Sequence, residues 1–480
     1  MVALRASLFL LPLLVTLAEA APVHHHQRLR ARSPCSAISG SSVSGSGAAL
    51  SSSSTSTSSA TSSKPVKSHS TKTTQATTTR PGAPTSTLKT ISTSSTSAAS
   101  TSTSTAAPAS DKVVAAYYSD WAADIITPEQ VDFDRFNWMD FAFAIPDENF
   151  NLQFTEDDSE DLLRRLVKAA HAKGKGVKLS IGGWTGSAFF SSAVSNDANR
   201  HTFVQNIANI YGQYNLDGID IDWEYPGIAA ASSSNGASPS DTSNLLEFFK
   251  LLRNTLPAGA VLSAAVQDWP WQGEDGSPES DMSAFAEQID WVTLMNYDVS
   301  GSSSTPGANA PLSDQCGNST YPQANAVAAV AAWTNAKFPA DQIVLGVPSY
   351  GYVSQSSVNH LYDKRAHIRR ALQVTSDAGS TSDGQVLFRE VVSQGALMQQ
   401  GGEWVGNNGF VKHWDDCSAT PWLKSDAGEQ VITYDDPDSL FVKAQYASQV
   451  GLRGVNMFDV SGDTTDWVLT DALRNGLGLS

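Results

Sequence analysis

From about residue 111 onward, the apolar positions along the chain follow two different spacings, one in short segments and the other in longer segments. Short apolar runs typical of buried strands alternate with segments whose apolar residues recur at helical spacing. Strands are predicted at 113–118, 137–145, 176–181, 218–223, 261–266, 291–297, 343–348 and 454–458. Helices are predicted at 159–171, 199–211, 242–256, 321–333 and 439–447, the third starting at a capping Thr242. Eight such units predict an α/β fold, a (β/α)8 TIM barrel.

One interval is too long to be a simple connection between a strand and a helix. Residues 352–433 separate the seventh predicted strand from the last helix, and they contain the apolar segments 385–392 and 404–414. A structureless loop of that length is uncommon in a compact domain. We therefore predict an inserted subdomain about residues 352–433 that forms one wall of a cleft.

The first 110 residues have a different composition. Arg5, the apolar run 8–17 and the sequence Ala18-Glu19-Ala20 are typical of a signal peptide at 1–20. In 51–105, 36 of 55 residues are Ser or Thr. This segment has too little apolar surface to offset the conformational entropy that the chain would lose on folding. We predict that 21–110 is a disordered, O-glycosylated stalk, with a bare linker as the alternative. The catalytic barrel then spans 111–480, and the protein is expected to be secreted, extracellular or associated with a cell wall.

Charge is distributed unevenly. Residues 1–110 hold nine Lys or Arg and one acid, whereas 111–480 hold 22 Lys or Arg and 47 Asp or Glu. Such an acidic body argues against nucleic-acid and anionic membrane partners, because phosphates are bound by clustered cations. A neutral or basic substrate is expected; surface acids that only keep a secreted protein soluble are the alternative.

The three cysteines are Cys35, Cys316 and Cys417. In an oxidising compartment Cys316 and Cys417 could pair, which would leave Cys35 over; three free thiols are the alternative. Their spacing does not fit a zinc site, and we predict neither a metal nor a cofactor. Asn318-Ser319-Thr320 is an N-glycosylation sequon.

The segment 216–226, LDGIDIDWEYP, has the most informative pattern. On a strand Asp220, Asp222 and Glu224 share one face, and apolar residues take the other. In a barrel the acidic face points inward, where three ionised carboxylates are costly and shared protons are favoured. One pKa is then raised, which makes Glu224 a plausible acid. An acidic metal site or a solvated edge strand is the alternative.

With these residues in place, the chain from about Lys112 onward resembles glycoside hydrolase family 18, the chitinases and related endo-β-N-acetylglucosaminidases. The pattern D-x-x-D-x-D-x-E is filled at 217–224. Three further family motifs follow the family order: S-I-G-G at 180–183, M-N-Y-D at 295–298 and L-G-V-P-S-Y-G at 345–351. The resemblance implies an α+β insertion subdomain before the last strand and a retaining, substrate-assisted mechanism in which the sugar's acetamido group is the nucleophile.

The resemblance also implies roles for individual residues. Glu224 would be the acid and then the base, Asp222 would orient the acetamido group, and Asp220 would hold or share a proton with Asp222. Tyr297 would hydrogen-bond the acetamido carbonyl oxygen, and Asp217 would brace the strand end. Further residues would line the subsite around the cut sugar: Tyr117, Phe143, Trp184, Met295, Asp298, Tyr350 and Phe458. Core packing is the alternative for each aromatic residue.

Two positions depart from the family pattern. Phe458 stands where most members have Trp, and Tyr352 follows the seventh-strand Tyr-Gly where many have Arg. These changes bear on substrate preference. Additional stacking platforms for sugars are predicted at Trp121, Trp269, Trp271 and Trp404.

The function implied is that of a monomeric chitinase acting on chitin or chitin oligomers. The alternatives are an endo-β-N-acetylglucosaminidase on N-glycans, a non-catalytic chitin-binding lectin, and a cell-wall structural protein.

Overall fold

Eight parallel strands close into a barrel in the computed structural model. It describes residues 112–228, 236–302, 306–354, 384–425, 427 and 429–479, together with the backbone of Tyr362–Lys364 and Ala371–Gln373. The barrel strands are β1 Val113–Ser119, β2 Trp138–Pro146, β3 Gly176–Gly182, β4 Gly218–Asp222, β5 Val261–Val266, β6 Trp291–Leu294, β7 Ile343–Pro348 and β8 Gly454–Phe458. Each pairs in parallel with its neighbours in chain order, and β8 pairs with β1. The predicted barrel is confirmed.

The barrel strands are connected mainly by helices. They are α1 Ser159–His171, α2 Phe190–Val194, α3 Asp197–Tyr214, α4 Asp241–Thr255, α5 Ser283–Ala286, α6 Ala326–Asn335, α7 Phe388–Ser393, α8 Pro437–Gln449 and α9 Val468–Gly476. A short strand, Leu152–Phe154, pairs antiparallel with β2. None of the helices in the described ranges is long and apolar enough to cross a bilayer.

Two predicted boundaries are wrong because a local hydrogen bond ends or starts the element elsewhere, and a predicted helix cap is not formed. Strand β6 stops at Leu294 because the Asn296 N–H donates to the Leu294 carbonyl and turns the chain. Helix α6 starts at Ala326 because the Asn325 side chain caps it by accepting from the Ala328 N–H. Thr242 is not a cap: α4 begins one residue earlier, and the Thr242 hydroxyl donates to the Gln272 carbonyl.

The main core lies between the barrel and the helices. Outward-facing strand residues such as Ile219 and Ile221 are fully buried there with Leu245 and Phe249 of α4. Burying such side chains supplies most of the stability of the fold, at about 25 cal/mol per Å² of apolar surface. The inward-facing positions of the same strands include the buried polar side chains that build the site.

The segment before α8 forms a small antiparallel sheet. Its strand order is Gln385–Leu387, Tyr350–Ser354, Gln430–Thr433, Thr420–Ser425 and Val411–Asp415. Leu397–Gln400 and Glu403–Gly406 form a separate hairpin. With α7 these strands make the predicted α+β insertion, whose first strand follows β7 almost directly.

Cys316 and Cys417 form a disulfide, so the proposed pairing is confirmed. It joins the connection between β6 and α6 to the insertion. The predicted signal peptide, the Ser/Thr-rich stalk and Cys35 lie outside the described residues.

Candidate active site

The carboxyl end of β4 places the acidic residues inside the barrel. Asp220, Asp222 and the following Glu224 are all buried. The alternating residues point the other way: the indole of Trp223 stacks on Phe190 at 5.3 Å between ring centroids. The alternation predicted from the sequence thus puts the carboxyl groups in one row at the end of the barrel where active sites of this fold lie.

Asp220 accepts hydrogen bonds from three hydroxyl groups. Ser180 on β3 and Ser263 on β5 lie directly opposite it in the sheet, one on each side. The Ser180 hydroxyl donates to Oδ2 at 2.8 Å, and the Ser263 hydroxyl donates to Oδ1 at 2.5 Å. The Tyr117 hydroxyl on β1 adds a third bond to Oδ2 at 3.2 Å. The three donors hold the Asp220 side chain in a fixed orientation between β1, β3 and β5.

The two glycines after Ser180 let β3 end against the carboxyl end of β4. Gly182 has φ +117°, and a Cβ there would lie 2.1 Å from the Asp222 carbonyl oxygen. Gly183 has φ +82°, and its Cβ would press on the ring of Phe143. Only glycine fits both positions, which explains why S-I-G-G accompanies the acidic row.

Asp222 lies in the middle of the row. Burial, followed by the charges of Glu224 and Asp220, raises its pKa well above the usual range. Its Oδ1 accepts no hydrogen bond from the described part of the chain. The sequence pattern predicts a raised carboxyl pKa at Glu224, and the structure shows a raised pKa at the neighbouring Asp222.

Glu224 follows the last residue of β4. Its backbone N–H donates to the Ser187 hydroxyl at 2.9 Å, and that hydroxyl in turn donates to the Gly183 carbonyl at 2.9 Å. These bonds fix the main chain that carries the carboxyl group. Burial and the charge of Glu224 raise the pKa of the adjacent Tyr225 well above its ordinary value.

Tyr297 comes from the M-N-Y-D segment after β6. Burial, then the charge of Asp222, raises the pKa of its hydroxyl well above 10. The phenol therefore stays protonated and can donate a hydrogen bond throughout the physiological pH range. Its pKa also responds to Asp298, Glu224 and Asp220, which puts it within electrostatic reach of the whole acidic row.

Aromatic side chains surround the carboxyl groups, and Phe458 at the end of β8 contacts two groups of them. The Phe458 ring lies 5.2 Å from Tyr117, 6.1 Å from Tyr297 and 6.5 Å from Tyr350. It packs against two buried clusters, which contain the predicted subsite residues Tyr117, Phe143, Trp184, Met295 and Tyr350. The structure thus brings the predicted lining residues together around Phe458.

Asp298 has two phenol partners. It has φ +57°, and its Oδ1 accepts from the hydroxyls of Tyr350 at 2.7 Å and Tyr352 at 2.6 Å. Its backbone N–H donates to the Asn309 side chain. Tyr352, which replaces the arginine common in the family, is therefore a neutral donor to a carboxylate here. A cation at that position would instead form an ion pair.

Some predicted residues lie elsewhere. Trp271 is not a sugar platform: it is buried in the main core against Phe285 and Trp333. Trp404 packs its ring on Phe388 at 5.4 Å, inside the insertion. The Trp271 indole is fully used in core packing, and Trp404 is half-buried against the core. Periodicity cannot distinguish such packing from a sugar platform in a loop.

Other predicted residues sit at the edge of the site or away from it. Trp121 is 37% exposed and lies 6.1 Å from Phe143, and Trp269 is half-buried. Asp217 lies at the opposite end of β4, where it accepts from the Val177 N–H at 2.8 Å and contacts His171 at 2.7 Å. It braces that end, as the resemblance implies.

Sequence reasoning missed a polar layer deeper in the barrel. Lys178 on β3 is fully buried, with its Nζ 3.0 Å from Asp140 on β2 and 2.5 Å from the Ser263 hydroxyl. Asn456 on β8 donates to the other oxygen of Asp140 at 2.8 Å. The available signal was a charged residue at an inward position of an otherwise apolar strand.

The arrangement combines the Glu224 carboxyl group, the two further buried carboxyl groups of Asp222 and Asp220, and the protonated phenol of Tyr297 in an aromatic pocket. Such a set can protonate a leaving oxygen and orient an amide carbonyl through its own side chains.

Comparison with known proteins gives concordant matches. A family model described as "Glycosyl hydrolases family 18" matches residues 113–463. A "chitinase-like effector" of Moniliophthora perniciosa is 34% identical over 392 residues, 77% of this chain and 87% of that protein. "Chitinase A1" of Niallia circulans is 28% identical over 298 residues, 59% of this chain and 40% of that protein. The crystal structure of the chitinase RmChi1 from Rhizomucor miehei has a TM-score of 0.63 and 30% identity, covering 76% of this chain and 100% of that one.

Proposed function

The chain belongs to glycosyl hydrolase family 18, and we propose that it is an active chitinase that hydrolyses the β-1,4 links between N-acetylglucosamine residues. The observation that carries the proposal is the intact row of Asp220, Asp222 and Glu224, buried beside the protonated phenol of Tyr297. A protein that only binds sugars has no need of a buried acid in that position.

The proposed mechanism follows from the state of each group. Glu224 protonates the glycosidic oxygen while the carbonyl oxygen of the 2-acetamido group attacks the anomeric carbon. Tyr297 donates to that carbonyl oxygen and holds it in line. Asp222 orients the acetamido N–H by accepting a hydrogen bond from it, and the net negative charge of the acidic row stabilises the oxazolinium ion. Glu224 then takes a proton from the water that opens the ring.

The substrate can be tested through its acetamido group. N-acetylated chitin oligomers should be cut, whereas fully deacetylated chitosan and cellulose should not, because neither carries the internal nucleophile. Product masses followed over time give the result. Efficient cutting of cellulose would overturn the substrate assignment, and release of sugar from a high-mannose glycopeptide in place of chitin oligomers would favour an N-glycan substrate.

The stereochemistry tests the mechanism separately. Two displacements at one carbon restore its configuration, so the first product seen by proton NMR should be the β anomer. A thiazoline analogue of the oxazolinium ion should inhibit competitively. An α product that appears before mutarotation contradicts the mechanism even if chitin is cut.

A second candidate function is chitin binding without catalysis, favoured by the name "chitinase-like effector" of the Moniliophthora relatives. Binding of chitin hexamer with no product under any condition would establish it. We further propose that the protein is secreted, acts as a monomer, and carries sugars on its stalk and at the exposed Asn318.

A further inference from the structure

The buried layer beneath Asp220 contains one positive charge with a defined set of partners. The Lys178 ammonium contacts Asp140 at 3.0 Å and Ser263 at 2.5 Å, and it lies 3.9 Å from Asp220 Oδ1. The ammonium group also faces the ring of Trp291, with Nζ 4.6 Å from the ring centroid. Lys178 and both acids are completely buried, so solvent does not screen this charge.

The donor and acceptor inventory fixes the direction of one hydrogen bond. An ammonium group can only donate, so the Ser263 oxygen must accept from Lys178. A serine hydroxyl has a single hydrogen, and the other short contact of Ser263 is with Asp220 Oδ1 at 2.5 Å. The Ser263 hydroxyl donates that hydrogen to Asp220, while Lys178 occupies one of its two lone pairs. Without Lys178 both lone pairs would be open to accept a hydrogen bond from a neutral Asp220.

We propose that Lys178 is a positioning residue that locks Ser263 as a donor, keeps Asp220 ionised, and thereby holds the proton of the acidic row on Asp222. The inference rests on the proposed function, since it concerns the acidic row that the proposed mechanism uses. Lys178 acts through Ser263 and Asp220 and does not touch the sugar.

Asp220 is faced by titratable groups from several elements. They are Tyr117 on β1, Asp140 on β2, Lys178 on β3, Asp222 on β4 and Tyr297 after β6. Lys178 is the only cation among these groups. Burial raises the pKa of Asp140 to about 6, so its own titration has to be controlled for.

The test is the pH profile of kcat/KM on a chitin oligomer, measured with the full secreted chain. Removing Lys178 alone leaves Asp140 buried without its partner, so the informative variant is Lys178→Met with Asp140→Asn, which removes both charges. Relative to Asp140→Asn, its acid limb should lie at a pH higher by roughly one unit, because an opposite charge within about 4–6 Å favours the ionised form. Asp140→Asn alone keeps the cation and should not move the limb upward.

A second pair of variants isolates the relay hydroxyl. Ser263→Ala should move the acid limb in the same direction, and Ser263→Thr, which keeps the hydroxyl, should restore the original limb. A loss of stability with no shift of the limb in either Lys178→Met/Asp140→Asn or Ser263→Ala would show a structural role only and would overturn the proposal.

A spectroscopic readout keeps the test independent of turnover. In protein labelled with ¹³C-aspartate, with resonances assigned through Asp220→Asn and Asp222→Asn, the wild type should show a protonated Asp222 and an ionised Asp220 at neutral pH. In Lys178→Met/Asp140→Asn the proton should be shared with Asp220. A protonated Asp220 in the wild type contradicts the inference. A wild type that binds chitin hexamer but does not cut it contradicts the proposed function alone.

Discussion

The side chains of strand β4 have different roles on its two faces. Ile219 and Ile221 belong to the core outside the barrel, and Asp220 and Asp222 face inward. Because both faces are buried, each inward charge needs a partner supplied by a neighbouring strand. Ser180 and Ser263 supply it to Asp220, which is why two hydroxyls flank that one residue.

The acid itself gives the first prediction. Glu224→Gln keeps the shape of the side chain but removes its transferable proton, so turnover should fall by about 10²–10⁴. Binding of chitin hexamer, measured by calorimetry, should be retained. The matched control is Asp217→Asn, a carboxyl at the other end of β4 that should leave turnover near the wild-type rate. Near-normal turnover of Glu224→Gln would remove it from the mechanism.

At the scale of elements, the junction between β1 and α1 contains a buried acid outside the site. Asp120 accepts from the Ser159 hydroxyl at 2.6 Å and the Thr155 hydroxyl at 2.8 Å, and burial raises its pKa from 3.8 to about 6. The folded state therefore binds this proton more tightly than the unfolded chain does. The stability that depends on it is present at low pH and is lost as the pH rises through about 6.

Replacing Asp120 by Asn removes this dependence and gives the second prediction. Two pKa units correspond to roughly 2–3 kcal/mol. The free energy of unfolding of the wild type, relative to Asp120→Asn, should fall by about that amount between pH 4 and pH 7.5. Urea unfolding at both pH values measures it. A difference that is constant with pH, or that grows as the pH rises, would contradict the assignment.

The disulfide links two elements that are distant in the chain and gives the third prediction. It closes a loop of 101 residues between the β6–α6 connection and the insertion. Constraint of the unfolded chain predicts a loss of about 2–4 kcal/mol in Cys316→Ser/Cys417→Ser, seen as a lower denaturant midpoint. Cys35→Ser is the control and should leave the midpoint unchanged.

At the scale of the whole molecule, the barrel is complete without the N-terminal region. Strand β1 begins at Val113 and closes the sheet by pairing with β8 and β2, and the site residues lie between Tyr117 and Phe458. Deletion of residues 21–110 should therefore leave kcat/KM on soluble chitin oligomers within about twofold of the full chain, because surface changes away from a site have small effects.

If residues 21–110 form the predicted stalk, the same deletion should lower the rate on insoluble chitin while the rate on soluble oligomers is kept. Rates on insoluble chitin and on oligomers, measured side by side with the same preparations, distinguish the two roles. A shortened chain that fails to fold would place the start of the domain before residue 111.

The sequence alone determined those properties of the fold that depend on residues close together in the chain. Strand positions came from runs of apolar residues, and all eight were found, because burial on both faces of a parallel strand leaves a local pattern. The inward direction of Asp220, Asp222 and Glu224 came from the period of two along a strand. The segment boundaries at Leu294 and Ala326 were missed because single side-chain or main-chain hydrogen bonds set them.

Only the tertiary structure decided which residues from distant parts of the chain meet. Lys178 contacts both Ser263 and Asp140 because β2, β3, β4 and β5 pair in a particular register, and a shift by one residue would turn each side chain to the other face. The same register puts Phe458 between Tyr117 and Tyr297, while Trp271, in an equally aromatic segment, enters the core. Local pattern specifies the face of a strand, but the partner across the barrel is set by strand order and register, which no local pattern records.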